Sequence, residues 1–177
     1  MKVSDEALAR AAAGGDAEAF SSLIARHYDR VFGLAFRLTG RREEAEDLTQ
    51  DICVALPAKI AAFRGDARFS TWLYRVVVNA SHDRRRRAAA HAKAADGWGE
   101  VELARRAEAD ERRAGLDWLQ RAMTVLPEEL RITLALTLED DVTHKAAADV
   151  LGISEGTVSW RMSEIKKRLK ALKDDER

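Results

Sequence analysis

The sequence has few of the residues that cross-link, interrupt or anchor a chain. Among its 177 residues are one cysteine, Cys53, and two prolines. One cysteine excludes a disulfide framework and a cysteine-based zinc site, and the four histidines lack metal-ligand spacing, so we expect no metal and no cofactor. No apolar run is long enough to span a membrane, and residues 1–20 lack the apolar core of a signal peptide. We therefore expect a cytoplasmic protein.

Strand-like alternation is also missing, whereas alanine is abundant and favours helix. We predict an all-α fold of two small helical domains, residues 1–90 and 114–177, joined by a flexible linker, residues 91–113. In the first domain we expect helices over 16–40, 41–60 and 70–87, with Pro57 kinking or ending the second and Ser70 capping the third. In the second we expect helices over 116–126 and from Pro127 to Leu138.

The net charge of zero conceals an uneven distribution. Residues 61–93 carry eight basic and two acidic side chains. A local basic block of this kind indicates nucleic-acid contact better than the total charge does.

The segment 143–172 has the pattern of a helix-turn-helix. A short helix to Leu151 stops at Gly152, which tolerates a left-handed C-cap, and Ser154 is a good N-cap for a longer helix. The second helix of such a motif enters the DNA major groove. At about 100° per residue, its apolar stripe is Val158, Met162, Ile165, Leu169 and Leu172, and the opposite side presents Trp160, Ser163, Glu164 and Lys167. An ordinary helical hairpin with solvated lysines is the alternative.

A second candidate surface lies in the first half of the chain. The helix after the loop 63–70 has Trp72, Arg75 and Asn79 on one side, and the loop itself carries Phe63, Arg64 and Phe69. Aromatic rings that stack on bases and cations that follow phosphates suit single-stranded nucleic acid. On spacing alone, it is equally possible that Phe69 and Trp72 are core residues and that Arg84 to Arg87 form a solvated helix end.

Four segments together resemble the extracytoplasmic-function (ECF) sigma factors of bacteria. They are Glu-Asp-Leu-Thr-Gln-Asp at 46–51, Phe-Arg-Gly-Asp-Ala-Arg-Phe-Ser-Thr-Trp-Leu-Tyr-Arg-Val-Val-Val-Asn at 63–79, Leu-Pro-Glu-Glu-Leu-Arg at 126–131 and Leu-Gly-Ile-Ser-Glu-Gly-Thr-Val at 151–158. The resemblance covers nearly the whole chain. It implies a non-enzymatic transcription initiation factor that binds core RNA polymerase at its clamp coiled coil and flap and recognises promoter DNA. It also implies a stress-response regulator held by an anti-sigma protein.

The resemblance further implies roles for individual residues. The polymerase-docking set is Asp47, Gln50 and Asp51. The set that recognises the −10 element as a single strand is Phe63, Arg64, Phe69, Trp72, Arg75 and Asn79. The set that recognises the −35 element as a duplex is Glu155, Thr157, Ser159, Trp160, Arg161, Ser163 and Lys167.

The sequence also departs from the family pattern. His144, Lys145, Ala146 and Ala147 replace an aromatic residue, paired glutamates and isoleucine, and we expect them to thin the packing beneath the recognition helix. Trp160 and Glu164 stand at positions that are often small or basic, which affects the −35 sequence recognised.

Two other classes of protein were considered. A helix-turn-helix regulator that binds duplex operators alone would leave the polymerase-docking motif unexplained. A nucleic-acid enzyme needs carboxylates or a metal triad grouped in a pocket, whereas the acidic residues at 43–51 follow a helix.

Overall fold

A computed structural model describes residues 3–94, 123 and 125–175. These residues form seven helices: α1 (Asp5–Ala13), α2 (Ala17–Thr39), α3 (Arg42–Ile60), α4 (Phe69–Ala94), α5 (Glu128–Thr137), α6 (His144–Leu151) and α7 (Glu155–Asp175). The all-α prediction is therefore confirmed. Within the described ranges, none of the helices is long and apolar enough to span a membrane.

Local sequence signals account for several helix ends. Asp16 accepts hydrogen bonds from the backbone N–H groups of Glu18 and Ala19 at the start of α2, and Gly40 ends that helix at φ 73°. α1 was not predicted, although Ser4 caps it and acidic residues fill its first turn. Nine residues are too few to show a sustained apolar period.

The predicted bounds of α3 agree with the structure, whereas those of α4 were partly wrong. α3 continues through Pro57 to Ile60, so Pro57 does not end it. Ser70 does not cap α4; it is buried inside the helix, and the N–H of Phe69 donates to Glu6 of α1 at 3.4 Å. α4 also runs to Ala94 because the alanines after the arginine run favour helix. The predicted linker 91–113 therefore overlaps α4, and its remaining residues lie outside the described ones.

The helix-turn-helix forms as predicted. Thr143 caps α6, Gly152 ends it in the left-handed region at φ 67°, and Ser154 accepts a hydrogen bond from the N–H of Thr157 at the start of α7. α5 follows Pro127 and ends at Thr137. Of the predicted helix 116–126, only the buried residues Met123 and Leu126, together with the exposed Val125, belong to the described part.

The two predicted domains pack on each other. α5 contacts α2, and α6 contacts α4. One hydrophobic cluster includes core residues of both regions, among them Leu34, Val77, Leu130, Leu134 and Ile165. The surfaces predicted to bind DNA thus belong to a closed arrangement of helices.

Candidate protein and nucleic-acid interfaces

The polymerase-docking set lies on one exposed face of α3. The side chains of Asp47 and Asp51 are 63% and 67% exposed, and Gln50 is exposed between them. One turn further along the helix, Val54 is 82% exposed. Its spacing of three and four residues from Asp51 and Gln50 places it on the same face. We call Asp47, Gln50, Asp51 and Val54 the α3 face. Val54 was not predicted as part of this face, although its spacing from Gln50 and Asp51 indicates it.

The two carboxylates of the α3 face share a partner on α4. Arg84 donates to Asp47 at 3.0 Å and to Asp51 at 3.3 Å. Arg84 belongs to the basic block 61–93, which predicts nucleic-acid contact, but its guanidinium turns toward α3. Arg84 therefore partly neutralises the negative charge of the α3 face.

The aromatic residues of the −10 set form a cluster. The ring centroids of Phe63, Phe69 and Trp72 are 5.5–5.6 Å apart, and Phe69 also contacts the buried ring of His27 edge-on at 5.2 Å. Phe69 is 1% exposed, Phe63 is buried and Trp72 is half-buried. Phe69 is therefore a core residue. Stacking on bases is open to Trp72 more than to the two phenylalanines.

The polar members of the −10 set remain on the surface. Arg64, Arg75 and Asn79 are exposed. A cleft of about 240 Å³ lies between the loop and the start of α4, lined by Ala62, Phe63, Arg64, Gly65, Asp66, Ala67, Thr71, Trp72 and Arg75. Gly65 adopts φ 79°, which permits the turn of this loop. The cleft combines an aromatic wall with two guanidinium groups, which suits an unstacked base and its phosphate.

The −35 set is concentrated on the exposed side of α7. Glu155, Ser159, Trp160, Ser163 and Lys167 are exposed, and Trp160 is 64% exposed. Val158 and Ile165 are buried on the opposite side. This division confirms the predicted faces of the helix. Tryptophan, whose ring is apolar at one end and polar at the other, is enriched at interfaces.

Three members of the −35 set already have intramolecular partners. Arg161 is half-buried and donates to the hydroxyl of Thr133 on α5 at 3.3 Å. The hydroxyl of Thr157 is 2.8 Å from that of Ser154, within the N-terminal cap of α7. Ser159 lies at the surface, and its hydroxyl is hydrogen-bonded to Nδ1 of His144 on α6 at 3.1 Å. His144 is thus adjacent to the recognition surface, which the sequence analysis did not foresee.

Small residues fill the space beneath α7. Ala147, Ala148 and Val158 form a separate buried cluster at the crossing of α6 and α7. Val142, Ile153 and Met162 pack against this cluster, so the thin packing expected from the alanines before the turn stays a prediction. The recognition helix is supported by its contacts with both α5 and α6 and by its own N-terminal cap.

Comparison with known proteins gives the same two regions in the same order. The Sigma-70 region 2 family matches residues 23–91, and the Sigma-70 region 4 family matches residues 116–169. The ECF RNA polymerase sigma factor SigM of Mycobacterium tuberculosis is 36% identical, covering 96% of this chain and 84% of that protein. The ECF RNA polymerase sigma factor SigW of Bacillus subtilis is 28% identical, covering 90% of this chain and 92% of that protein.

A solved structure has a similar fold along the whole chain. CnrH, a sigma factor of Cupriavidus metallidurans, has been solved in complex with the cytosolic domain of CnrY. Its TM-score is 0.71 at 30% sequence identity, covering 98% of this chain and 99% of that one.

Regions 2 and 4 on one helical chain define a transcription initiation factor of the sigma-70 class. Within that class, the chain belongs to the ECF RNA polymerase sigma factors. Such proteins are not enzymes. Membership of this family also favours a sigma factor over a regulator that binds operators alone.

Proposed function

We propose that this sigma factor divides its tasks among three surfaces. The α3 face docks on the clamp coiled coil of core RNA polymerase, and the second region also meets the flap. The cleft beside α4 binds the −10 element as a single strand. The exposed side of α7 binds the −35 element as a duplex. The protein works in the cytoplasm, where polymerase and promoter DNA are found.

The α3 face carries the proposal for polymerase docking. It combines two carboxylates, an amide and an unpaired apolar side chain along about two turns of one helix. Charged groups at a protein interface set the association rate and the specificity, while apolar contact contributes affinity. The Arg84 guanidinium bound to both carboxylates is a local indication that the face accepts a basic partner.

The proposal for −10 binding depends on the exposed polar residues and Trp72. Arg64 and Arg75 flank the cleft, and Asn79 lies one turn after Arg75 on α4. Phe63 and Phe69 have a different task, because their burial means that they shape the cleft from beneath. Asn79 and Arg75 are therefore the better sites for testing DNA contact.

For −35 binding, the structure supports a smaller group than the sequence did. Ser159, Trp160, Ser163 and Lys167 are exposed and can approach a major groove, whereas Arg161 is half-buried and donates to Thr133. Ser hydroxyls can bond to base edges, and Lys can bond to phosphates.

Charge reversal on the α3 face tests the docking role. In Asp47→Lys/Asp51→Lys, we expect the affinity for core polymerase to fall about tenfold or more, because the carboxylates would be replaced by cations facing a basic partner. Helical circular dichroism should be unchanged. Binding is measured by titrating labelled protein with core enzyme, and function by transcription from a promoter library.

The matched control is Glu18→Lys/Asp29→Lys, which makes the same change of charge at two exposed positions of α2. It should retain core binding. Equal weakening in both double variants would mean that total charge, and not the α3 face, determines the affinity.

An inhibitory protein partner is also proposed. CnrH, similar over the whole chain, has been solved with the cytosolic domain of CnrY, and a comparable anti-sigma partner is expected here. Purification of the tagged protein from its native cells before and after stress tests this. A stoichiometric protein that competes with core polymerase is the expected result, and a free, fully active protein under all conditions would contradict it.

A further inference from the structure

The turn between α5 and α6 carries its acidic side chains into contact with the first region. We call residues 138–143 the acidic turn. Its Glu139 forms an ion pair with Arg37 of α2, and its Asp141 pairs with Arg30 of α2 at 3.2 Å. Glu139 is only 10% exposed in this pairing. A buried carboxylate needs a compensating cation, so these pairs depend on the closed arrangement of the two regions.

Tyr74 of α4 is the neutral centre of this contact. It is fully buried, and its hydroxyl is 3.2 Å from Oε2 of Glu139 and 3.0 Å from Oδ1 of Asp141. Its proton can be donated to one carboxylate at a time, and both acceptors are charged, which makes such bonds stronger than those between neutral groups. A side chain from the first region thus joins both carboxylates of the acidic turn.

Two arginines of the first region bind the C-terminal ends of helices in the second. Arg37 donates through Nε to the carbonyl of Ala135 near the end of α5 at 3.2 Å, and Arg75 donates to the carbonyl of Asp149 near the end of α6. The last carbonyls of a helix lack partners within it and carry partial negative charge. Arg75 is also a proposed −10 contact, so the closed arrangement occupies a DNA-binding side chain.

The closed arrangement is incompatible with a complete promoter complex. Elements centred at −35 and −10 are roughly 25 base pairs apart, about 85 Å along B-DNA. Here α7 packs on α6, and α6 packs on α4. α7, with 21 residues, is itself only about 31 Å long. The two DNA-binding surfaces therefore have to separate before both elements can be bound.

We infer that the acidic turn is an autoinhibitory latch. By binding Arg30, Arg37 and Tyr74, it keeps α6 packed on α4. This packing holds Arg75 away from DNA and prevents the two DNA-binding surfaces from spanning a promoter. This inference rests on the proposed roles of Arg75 and α7. Because only open molecules can bind −10 DNA, the apparent affinity equals the intrinsic affinity multiplied by the fraction of molecules that are open. Opening exchanges the intramolecular partners of these side chains for those of polymerase and DNA.

Three variants weaken the latch in different ways. Tyr74→Phe removes one hydroxyl and no charge, Glu139→Gln/Asp141→Asn removes both carboxylates, and Arg30→Gln changes a half-exposed side chain that is easily accommodated. The matched controls are Tyr28→Phe at an exposed tyrosine of α2, and Glu18→Gln/Asp29→Asn, which makes the same change of charge outside the latch. Circular dichroism identifies any variant that fails to fold.

Two measurements on the full-length chain test the inference. The radius of gyration from small-angle X-ray scattering reports opening without requiring DNA or polymerase. Anisotropy of a labelled pool of random single-stranded DNA, about 12 nucleotides long, reports access to the cleft. We expect the folded latch variants to expand and to bind the pool about 5- to 100-fold more tightly, the usual range of coupling between two sites. Adding Arg75→Ala should remove most of that gain.

Each outcome decides between alternatives. If no latch variant expands, the acidic turn is not a latch, whatever the result for polymerase docking. If the variants expand but bind the DNA pool no better than their controls, the masking of Arg75 is wrong. Failure of the docking test above would leave both measurements meaningful, because neither uses polymerase.

Discussion

Aromatic side chains that are predicted to bind DNA lie in two places: residues 63–72, around the start of α4, and the recognition helix α7. The two segments bury these side chains to different extents. Phe69 and Phe63 lie within the core of the first region, whereas Trp160 is 64% exposed with the apolar side of its helix turned away. In α7, the supporting and binding residues occupy opposite faces. Around α4, Phe63 both supports the fold and lines the cleft, while Phe69 supports the fold from beneath it.

This difference determines how each surface can be probed and altered. A change at Trp160 should affect binding while leaving the fold intact. A change at Phe69 should affect the fold first and binding only as a consequence. Variation of DNA preference is therefore easier to accommodate on α7 than at the base of the cleft.

The largest expected effect is at Phe69. Phe69→Ala should lower the free energy of unfolding by about 3–5 kcal/mol, because it removes a buried ring that contacts His27, Phe63 and Trp72. Urea denaturation followed by circular dichroism measures this. Phe69→Leu retains most of the volume and should lose much less. A loss below about 1 kcal/mol in Phe69→Ala, within the ordinary range for point mutants, would contradict the assignment of this ring to the core.

A smaller effect, and one on binding alone, is expected at Trp160. Trp160→Ala should change the free energy of unfolding by less than about 0.5 kcal/mol, as for other surface substitutions. It should weaken holoenzyme binding to its selected −35 duplex by about 2 kcal/mol, as for aromatic residues that anchor an interface. Val125→Ala, at another exposed apolar residue, is the control for both measurements. Unchanged duplex affinity would exclude Trp160 from the contact.

The smallest effect concerns the contact between the two regions at high pH. Burial, and then the charge and hydrogen bond of Asp141, raises the pKa of Tyr74 to about 12. The neutral phenol is thus favoured in the folded protein, and its stabilising contribution is present below about pH 10. It is lost as the pH rises through about 12, when a phenolate would face Glu139 and Asp141, with Arg30 and Arg37 as nearby cations.

Ultraviolet absorbance of the phenolate measures this titration. Wild-type protein and Tyr28→Phe should show a transition near pH 12, and Tyr74→Phe should lack it. In Glu139→Gln/Asp141→Asn, the pKa of Tyr74 should return toward its ordinary value of about 10. A transition that stays near 12 in that variant would show that the carboxylates do not contribute to it.

The sequence predicted the parts of this fold that depend on neighbouring residues. Gly152 and Ser154 were predicted to cap helices, and their type and spacing were sufficient because the groups they cap lie one to four positions away. Asp16, Gly40 and Thr143 also cap helices but were predicted only as ends of helical segments. α4 exceeded its predicted end because nothing after the arginine run signals a stop. α3 continues past Pro57 to its predicted end at Ile60, although a proline inside a helix removes one backbone donor.

The rest depends on contacts between distant parts of the chain. Arg161 was predicted to face DNA from its position on α7, but its half-buried side chain extends to Thr133. No role was predicted for Tyr74, because its hydrogen-bond partners Glu139 and Asp141 are more than 60 residues away in the sequence. Spacing along a helix gives the face on which a residue lies, but not the partner that approaches that face.

The ion pairs of Arg84 have a consequence for association kinetics. Because one guanidinium is shared by Asp47 and Asp51, the α3 face offers an approaching protein a net charge of about −1 where the two carboxylates alone would give −2. Long-range attraction depends on that net charge and is screened over about 10 Å at 0.1 M salt. The association rate should therefore fall only gently as salt is added, and removal of Arg84 should make it faster in dilute buffer and more sensitive to ionic strength.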